Sequence, residues 1–200
     1  MNDAALNIEI PSVIGTTTEH GVYFGRIRAA GAIHALFQPS AAVAHIAPTV
    51  WNEDRKCLDD AFSFSDGYAN TVAMAKAGSK IAQRALDCGM HIASLDESDL
   101  QYRTFKPTTT PNDCWLRAGI NLNAETPLEP YVPELPAQTT LEAFRAGGPE
   151  AFPNDWLWTS TQYRGLSGYA WAQYFGYGTQ YDYLKTNEFA VRLVRRVTIR

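Results

Sequence analysis

The last quarter of the chain most constrains what it can fold into. Four short runs rich in aromatic and β-branched residues, at 156–160, 169–175, 177–183 and 189–197, are separated by Gly, Ser, Asp and Asn. Runs of this length between turn-forming residues make strands joined by turns. In the last run Phe189, Val191 and Leu193 alternate with Ala190, Arg192 and Val194, the period of two of a strand with two distinct faces. Residues 151–200 also hold 12 of the chain's 24 aromatic rings, so any account of function has to explain this quarter. The rings form two populations. Trp156, Trp158, Trp171, Phe175 and Phe189 suit a core. Tyr163, Tyr169, Tyr177, Tyr181 and Tyr183 instead fall among Arg164, Ser167, Thr179, Gln180 and Asp182, across glycine-rich turns. Tyrosine offers a large rigid contact area at low entropic cost, and small polar neighbours add adaptable hydrogen bonds, so this mixture predicts a binding surface. It also suits carbohydrate, with rings against sugar faces and amides reaching hydroxyls.

Upstream, the glycine-bounded run 21–28 (GVYFGRIR) reads as a strand, with 32–37 and 42–46 as its antiparallel continuation. Tyr68, Val72, Ala75, Ala82 and Leu86 recur at helical spacing, predicting one helix over 66–88 with Asp66 as its cap and Gly89 at its end. A second helix, 95–105, opens on a capping box of Ser94 and Glu97, and Thr139 with Glu142 predicts a third, short one. Residues 106–138 carry six of the 11 prolines and read as a long irregular loop or lid. Residues 1–20 read as an arm that packs on a neighbour or moves freely. Strands and helices are segregated, which argues for a single α+β domain, 21–200, built on antiparallel strands with two main helices.

Several function classes lose support on chemistry. The formal net charge is −4, so no global basic field exists to hold nucleic acid. Arg192, Arg195, Arg196 and Arg200 make the C-terminus locally positive, which fits a strand edge or ion pairs better than an anion strip. No apolar run is long enough to cross a membrane and no signal peptide is visible, so synthesis and folding in a cytoplasm are expected. Cys57, Cys88 and Cys114 show no zinc spacing and are expected to be reduced, partly buried thiols. His20, His34, His45 and His91 begin no metal motif, and no nucleophile elbow, dinucleotide fingerprint or P-loop occurs. No catalytic residue, metal or cofactor is therefore expected. The two Pro-Asn-Asp runs, at 111–113 and 153–155, are turn chemistry before they are calcium ligands.

The run Trp158-Thr159-Ser160-Thr161-Gln162-Tyr163, then Tyr169-Ala170-Trp171 with Phe175, Gly178, Lys185 and the closing Val191-Arg192-Leu193-Val194-Arg195-Arg196, resembles the DUF1566 or Lcl C-terminal family. The likeness is sharp over about 156–197, looser over 21–105, and absent over 1–20 and 106–138. It implies a C-type-lectin-like fold of the kind found in phage and bacterial surface proteins. The likeness extends to the variable proteins of diversity-generating retroelements, whose mutable positions lie between the fixed scaffold residues. Carried over, those positions are Tyr163, Arg164, Leu166, Tyr169, Gln173, Tyr174, Tyr177, Thr179, Gln180, Asp182 and Tyr183. The calcium-binding motifs of animal C-type lectins are missing, with Asn154-Asp155 only a fragment of one.

The resemblance implies a recognition protein without catalysis, in the tail or fibre of a phage or prophage virion, whose tyrosine-rich C-terminal face meets a host-surface glycan or protein. On the same analogy residues 1–20 and 106–138 would pack against other virion proteins or other copies, giving a homo-oligomer such as a trimer. The alternatives are a virion decoration or assembly protein and a retroelement variable protein.

Overall fold

The computed structural model describes residues 9–112 and 137–199. Its strands are β1 (Thr17–Thr18), β2 (Gly21–Ala29), β3 (Ala32–Gln38), β4 (His45–Val50), β5 (His91–Ile92), β6 (Trp156–Gln162), β7 (Tyr169–Tyr174), β8 (Gln180–Leu184) and β9 (Glu188–Ile199). The helices are α1 (Ala41–Ala44), α2 (Gly67–Lys76), α3 (Lys80–Asp87) and α4 (Leu95–Phe105). The strands form one mixed sheet in the order β1-β2-β3-β9-β6-β7-β8, with β4 and β5 also pairing to β9. The architecture is α+β. All pairings are antiparallel except β6 with β9, a short parallel contact at Leu157 and Ala190 that the antiparallel expectation did not include.

The twelve-residue β9 holds the parts together. Its C-terminal half pairs with β3, its N-terminal half with β4, and its middle with β5. Its alternation has the predicted effect. Val191 and Leu193 enter a core with Trp51, Met74, Ile81 and Trp158, while Val194 enters a second core with Phe24, Phe105 and Phe175. Phe105, Phe144, Phe152 and Phe175 stack in series through the second core. The β2–β3 hairpin turns on Ala30 and Gly31, both at positive φ, the backbone that a two-residue turn between twisted strands requires.

The helix predicted over 66–88 is two helices. Its apolar spacing runs on, but Gly78 at φ +88 breaks the backbone between α2 and α3. Asp66 caps α2 through Ala69 N at 2.9 Å, as its position predicts. The Ser94–Glu97 capping box is present at α4, and His91 Nε2 lies 3.1 Å from the same Glu97 carboxylate in a buried pair. Residues 42–44 of the strand expected at 42–46 belong instead to the single turn α1, and the strand begins at His45. No capping box forms at Thr139. Its hydroxyl donates to Thr104 O, and only a 3-10 turn, Glu142–Phe144, follows.

The described part of the predicted arm, residues 9–20, folds back on its own chain. Thr17–Thr18 pairs with β2, and Ile10 and Ile14 pack on a small core of Tyr23, Ala35 and Phe37. Most of the Pro-rich loop falls outside the described residues, as does Cys114. Cys57 and Cys88 are free thiols but exposed, against the expected partial burial. Of the C-terminal arginines, Arg196 follows the ion-pair reading, binding Asp66 at 2.7 Å. Arg192 is buried over the Phe152 ring and donates to Glu150 O and Ala151 O, and burial lowers its pKa to about 10. No described helix is long and apolar enough to cross a membrane.

Candidate functional site

Register decides what the tyrosine-rich quarter presents. Trp156 pairs with Tyr174 and Trp158 with Ala172, across β6 and β7. Ala172 pairs with Tyr181 and Ala170 with Tyr183, across β7 and β8. Paired residues share a face of the sheet, so Trp156, Trp158, Tyr174, Tyr181 and Tyr183 stand together. The alanines opposite the two tyrosines leave room for their rings. The inner part of this face, with Trp158, Ala170 and Ala172, is covered by the first core. Its outer part is not covered among the described residues, and Tyr181 is 44% exposed.

There the rings touch in an unbroken run. Tyr177 lies on Tyr174 at 4.3 Å, Tyr174 on Trp156 at 5.4 Å, and Trp156 on Tyr183 at 4.9 Å. Tyr183 in turn meets Tyr181 at 5.5 Å and Phe189 at 5.0 Å. Phe189 continues the run to buried Trp158, at 4.7 Å. Burial raises the phenol pKa of Tyr174, with Tyr177 and Asp155 adding to the shift, and does the same for Tyr183, helped by Tyr177, Tyr181 and Asp182. Both stay protonated at neutral pH; the Tyr174 O–H donates to Asn154 O at 3.1 Å, and the Tyr183 O–H is a donor at the rim of an apolar surface. Trp156 and Phe189, assigned to the core from sequence, belong to this surface as well. Both are half-buried, and the signal for Trp156 is its register opposite Tyr174.

The opposite face differs. Gln173 pairs with Gln180, and α4 lies over both. Gln173 donates to Asp99 Oδ1 at 3.3 Å, and Gln180 donates to Gln173 Oε1 and to Leu95 O. Both glutamines are fully buried and Thr179 nearly so. These three residues, expected among the ligand contacts, are internal instead: Gln173 and Gln180 turn their side chains under α4, and Thr179, just before β8, is nearly buried as well. Asp182 and Tyr169 share that face nearer its open end, and burial raises the Asp182 carboxyl pKa.

A third group lies at the β6–β7 connection. Tyr163 packs edge-on against Trp171 at 5.2 Å, Arg164 stacks over Phe62 at 4.6 Å, and Leu166 is 53% exposed at the tip. The structure thus distributes the eleven predicted positions over two faces and a loop. It brings three of them, Tyr174, Tyr177 and Tyr183, into one surface with Tyr181, which is not among the eleven.

Asp155 Oδ1 accepts from Trp156 N, as turn chemistry predicts. Among the described residues no cluster of three or more His, Cys, Asp or Glu side chains is gathered for a metal. Comparison with protein-family models, with curated proteins and with solved structures found no match.

Proposed function

We propose that this chain is a non-catalytic recognition protein of a phage or prophage virion, holding a host-surface glycan or protein against the aromatic face of Trp156, Tyr174, Tyr177, Tyr181 and Tyr183. The observation that carries this reading is the continuous run of ring contacts that reaches solvent at Tyr181 and is anchored at Trp158 in the core. Contiguous apolar surface edged with phenol O–H groups favours a ligand that is part apolar and part hydroxylated. The rings cost little entropy to immobilise because they already hold one another. The finer fold in this proposal is C-type-lectin-like. It is supported by the α+β architecture and by scaffold residues Trp158 and Val191 lying in the core beneath the tyrosine positions. The virion setting rests on the sequence resemblance.

The test is Tyr177→Ala, Tyr181→Ala and Tyr183→Ala combined, with binding of the purified chain to candidate host cells as readout. The reading expects binding to fall at least tenfold with the far-ultraviolet circular dichroism unchanged. Intact binding overturns the tyrosine face as the site. In an engineered virion, failed particle assembly with preserved cell binding would favour the decoration role instead.

A further inference from the structure

At the other end of the sheet from the aromatic surface lies a cavity of about 560 Å³. It opens between the β1–β2 turn, the end of β3 with α1, and the 3-10 turn Glu142–Phe144. Small-molecule sites have volumes of about 300 to 1,000 Å³. Val22, Val43, Leu141 and Phe144 give it apolar walls. Its charges are of both signs. Arg195 lines it, placed by β9 opposite Phe37 of β3. The period of two turns Arg195 to the other face from its neighbour Arg196, which Asp66 holds. Arg195 is half-buried, and among the described residues its guanidinium has no hydrogen bond and no ion pair. The lining carboxylates do not meet it. Glu150 is engaged locally, its Oε2 accepting from Ala41 N at 2.6 Å. Glu19 and Glu142 are exposed, at the rim.

A guanidinium presents its N–H donors in a planar fork that matches a carboxylate through two parallel bonds. Apolar walls strengthen such a pair relative to open water. A plain anion would meet Arg195 but be repelled by Glu19 and Glu142. A plain cation would meet the rim but be repelled by Arg195. A ligand that carries both charges answers both. We infer that this cavity binds a small amphipathic zwitterion, an α-amino acid with a bulky apolar side chain or a short peptide ending in one. Its carboxylate lies on Arg195, its ammonium faces Glu19 and Glu142, and its side chain packs against Val43, Leu141 and Phe144. The site is separated from the tyrosines of β8 by β9, β6 and β7, and it does not rest on the recognition reading.

The test is calorimetric titration of the full chain with L-phenylalanine and with three relatives that each lack one feature. Phenylalaninol lacks the carboxylate, phenylpropanoate the ammonium, and L-alanine the apolar body. Phenylalanine should bind saturably. Phenylalaninol and alanine should bind roughly tenfold more weakly, and phenylpropanoate a few-fold more weakly because its missing charge faces water. Arg195→Gln should lower phenylalanine affinity roughly tenfold and abolish the preference over phenylalaninol. It removes an unpaired charge, so the melting temperature should not fall. Val43→Trp, an exposed change at the mouth, should block every ligand with the melting temperature unchanged. Equal binding of phenylalanine and phenylalaninol, an Arg195→Gln variant that binds phenylalanine as the wild type does, or no saturable binding at all overturns the site. Glycylglycylphenylalanine, whose two charges stand farther apart, decides between the two sources. Tighter binding than phenylalanine assigns the cavity to a peptide, weaker binding to a free amino acid.

Discussion

The two faces of the β6–β8 ribbon are made from one stretch of sequence, yet they do opposite things. On one face Trp156, Tyr174, Tyr181 and Tyr183 stack on each other and reach solvent. On the other, Gln173 and Gln180 hydrogen-bond to each other and to α4, where no water competes. The composition of 173–183, tyrosines among Gln, Thr and Asp, reads as one mixed polar-aromatic surface. The period of two splits it. Adjacent residues on β8 differ more in environment than residues separated by a whole strand. A recognition surface of this build can vary its tyrosines without touching what fixes α4 to the sheet.

The largest effect tests where the tyrosine-bearing side of β8 closes. Just past the strand, Lys185 is fully buried over the Trp51 ring and donates to Lys56 O and to Gln162 Oε1. Burial lowers its pKa from 10.5 to about 8, against smaller opposing effects of Cys57 and Asp54. Between these two values the unfolded chain binds a proton that the folded chain has released, so this contribution to stability grows as pH rises. It amounts to up to about 3 kcal/mol at the top of the window. Denaturant unfolding at pH 7.5, 9 and 10.5 should show that rise in the wild type relative to Lys185→Met. Parallel curves for the two proteins would mean the amine is as solvated as Tyr181.

Next in size is the glutamine face. Gln173→Leu removes the donor to Asp99 and the acceptor of Gln180, and should cost about 2 kcal/mol of stability. Ligand binding at saturating folded protein should be unchanged. A binding loss beyond the unfolded fraction would show that the two faces are coupled through the ribbon.

How much of this was legible in the sequence follows the same division. Local signals were: the Asp66 cap, the Ser94–Glu97 box and the alternation of Phe189, Val191 and Leu193 all appear where the residues predict. What was not legible depends on distant partners. The burial of Gln173 and Gln180 follows from Asp99 and Leu95, some 75 to 85 residues earlier in the chain. The break at Gly78 was hidden because the apolar period of α2 continues into α3. Within β8 the candidate positions divide by parity. Tyr181 and Tyr183 are odd, Gln180 and Asp182 even, and the register Ala172–Tyr181 then sorts them without further information.

A smaller effect on stability goes with a larger one on recognition. Tyr181 is the most exposed ring of the run, so Tyr181→Ala should change unfolding free energy by no more than about 0.5 kcal/mol. Cell binding should nonetheless drop several-fold. A destabilisation comparable to that of Gln173→Leu would mean that Tyr181 belongs to the core and that the outer surface begins elsewhere.

The smallest effect comes from Asp182, which pairs with Trp171 and so points away from Tyr181 and Tyr183. Burial raises its carboxyl pKa, which means the folded chain holds that proton more tightly than the unfolded one. The stability it contributes is complete in acid and is lost as pH rises through the raised value. At neutral pH the ionised carboxylate is a mild burden, reduced by the water that still reaches it. Asp182→Asn should therefore melt at the same temperature as the wild type near pH 3 and slightly higher near pH 7. On the proposed function its binding to host cells should match the wild type, because the change lies on the face of β8 opposite the aromatic rings. If binding falls while the melting behaviour follows this pattern, the ligand contacts both sides of β8. The recognition element is then the free edge of the sheet, with the aromatic rings as only one wall of it.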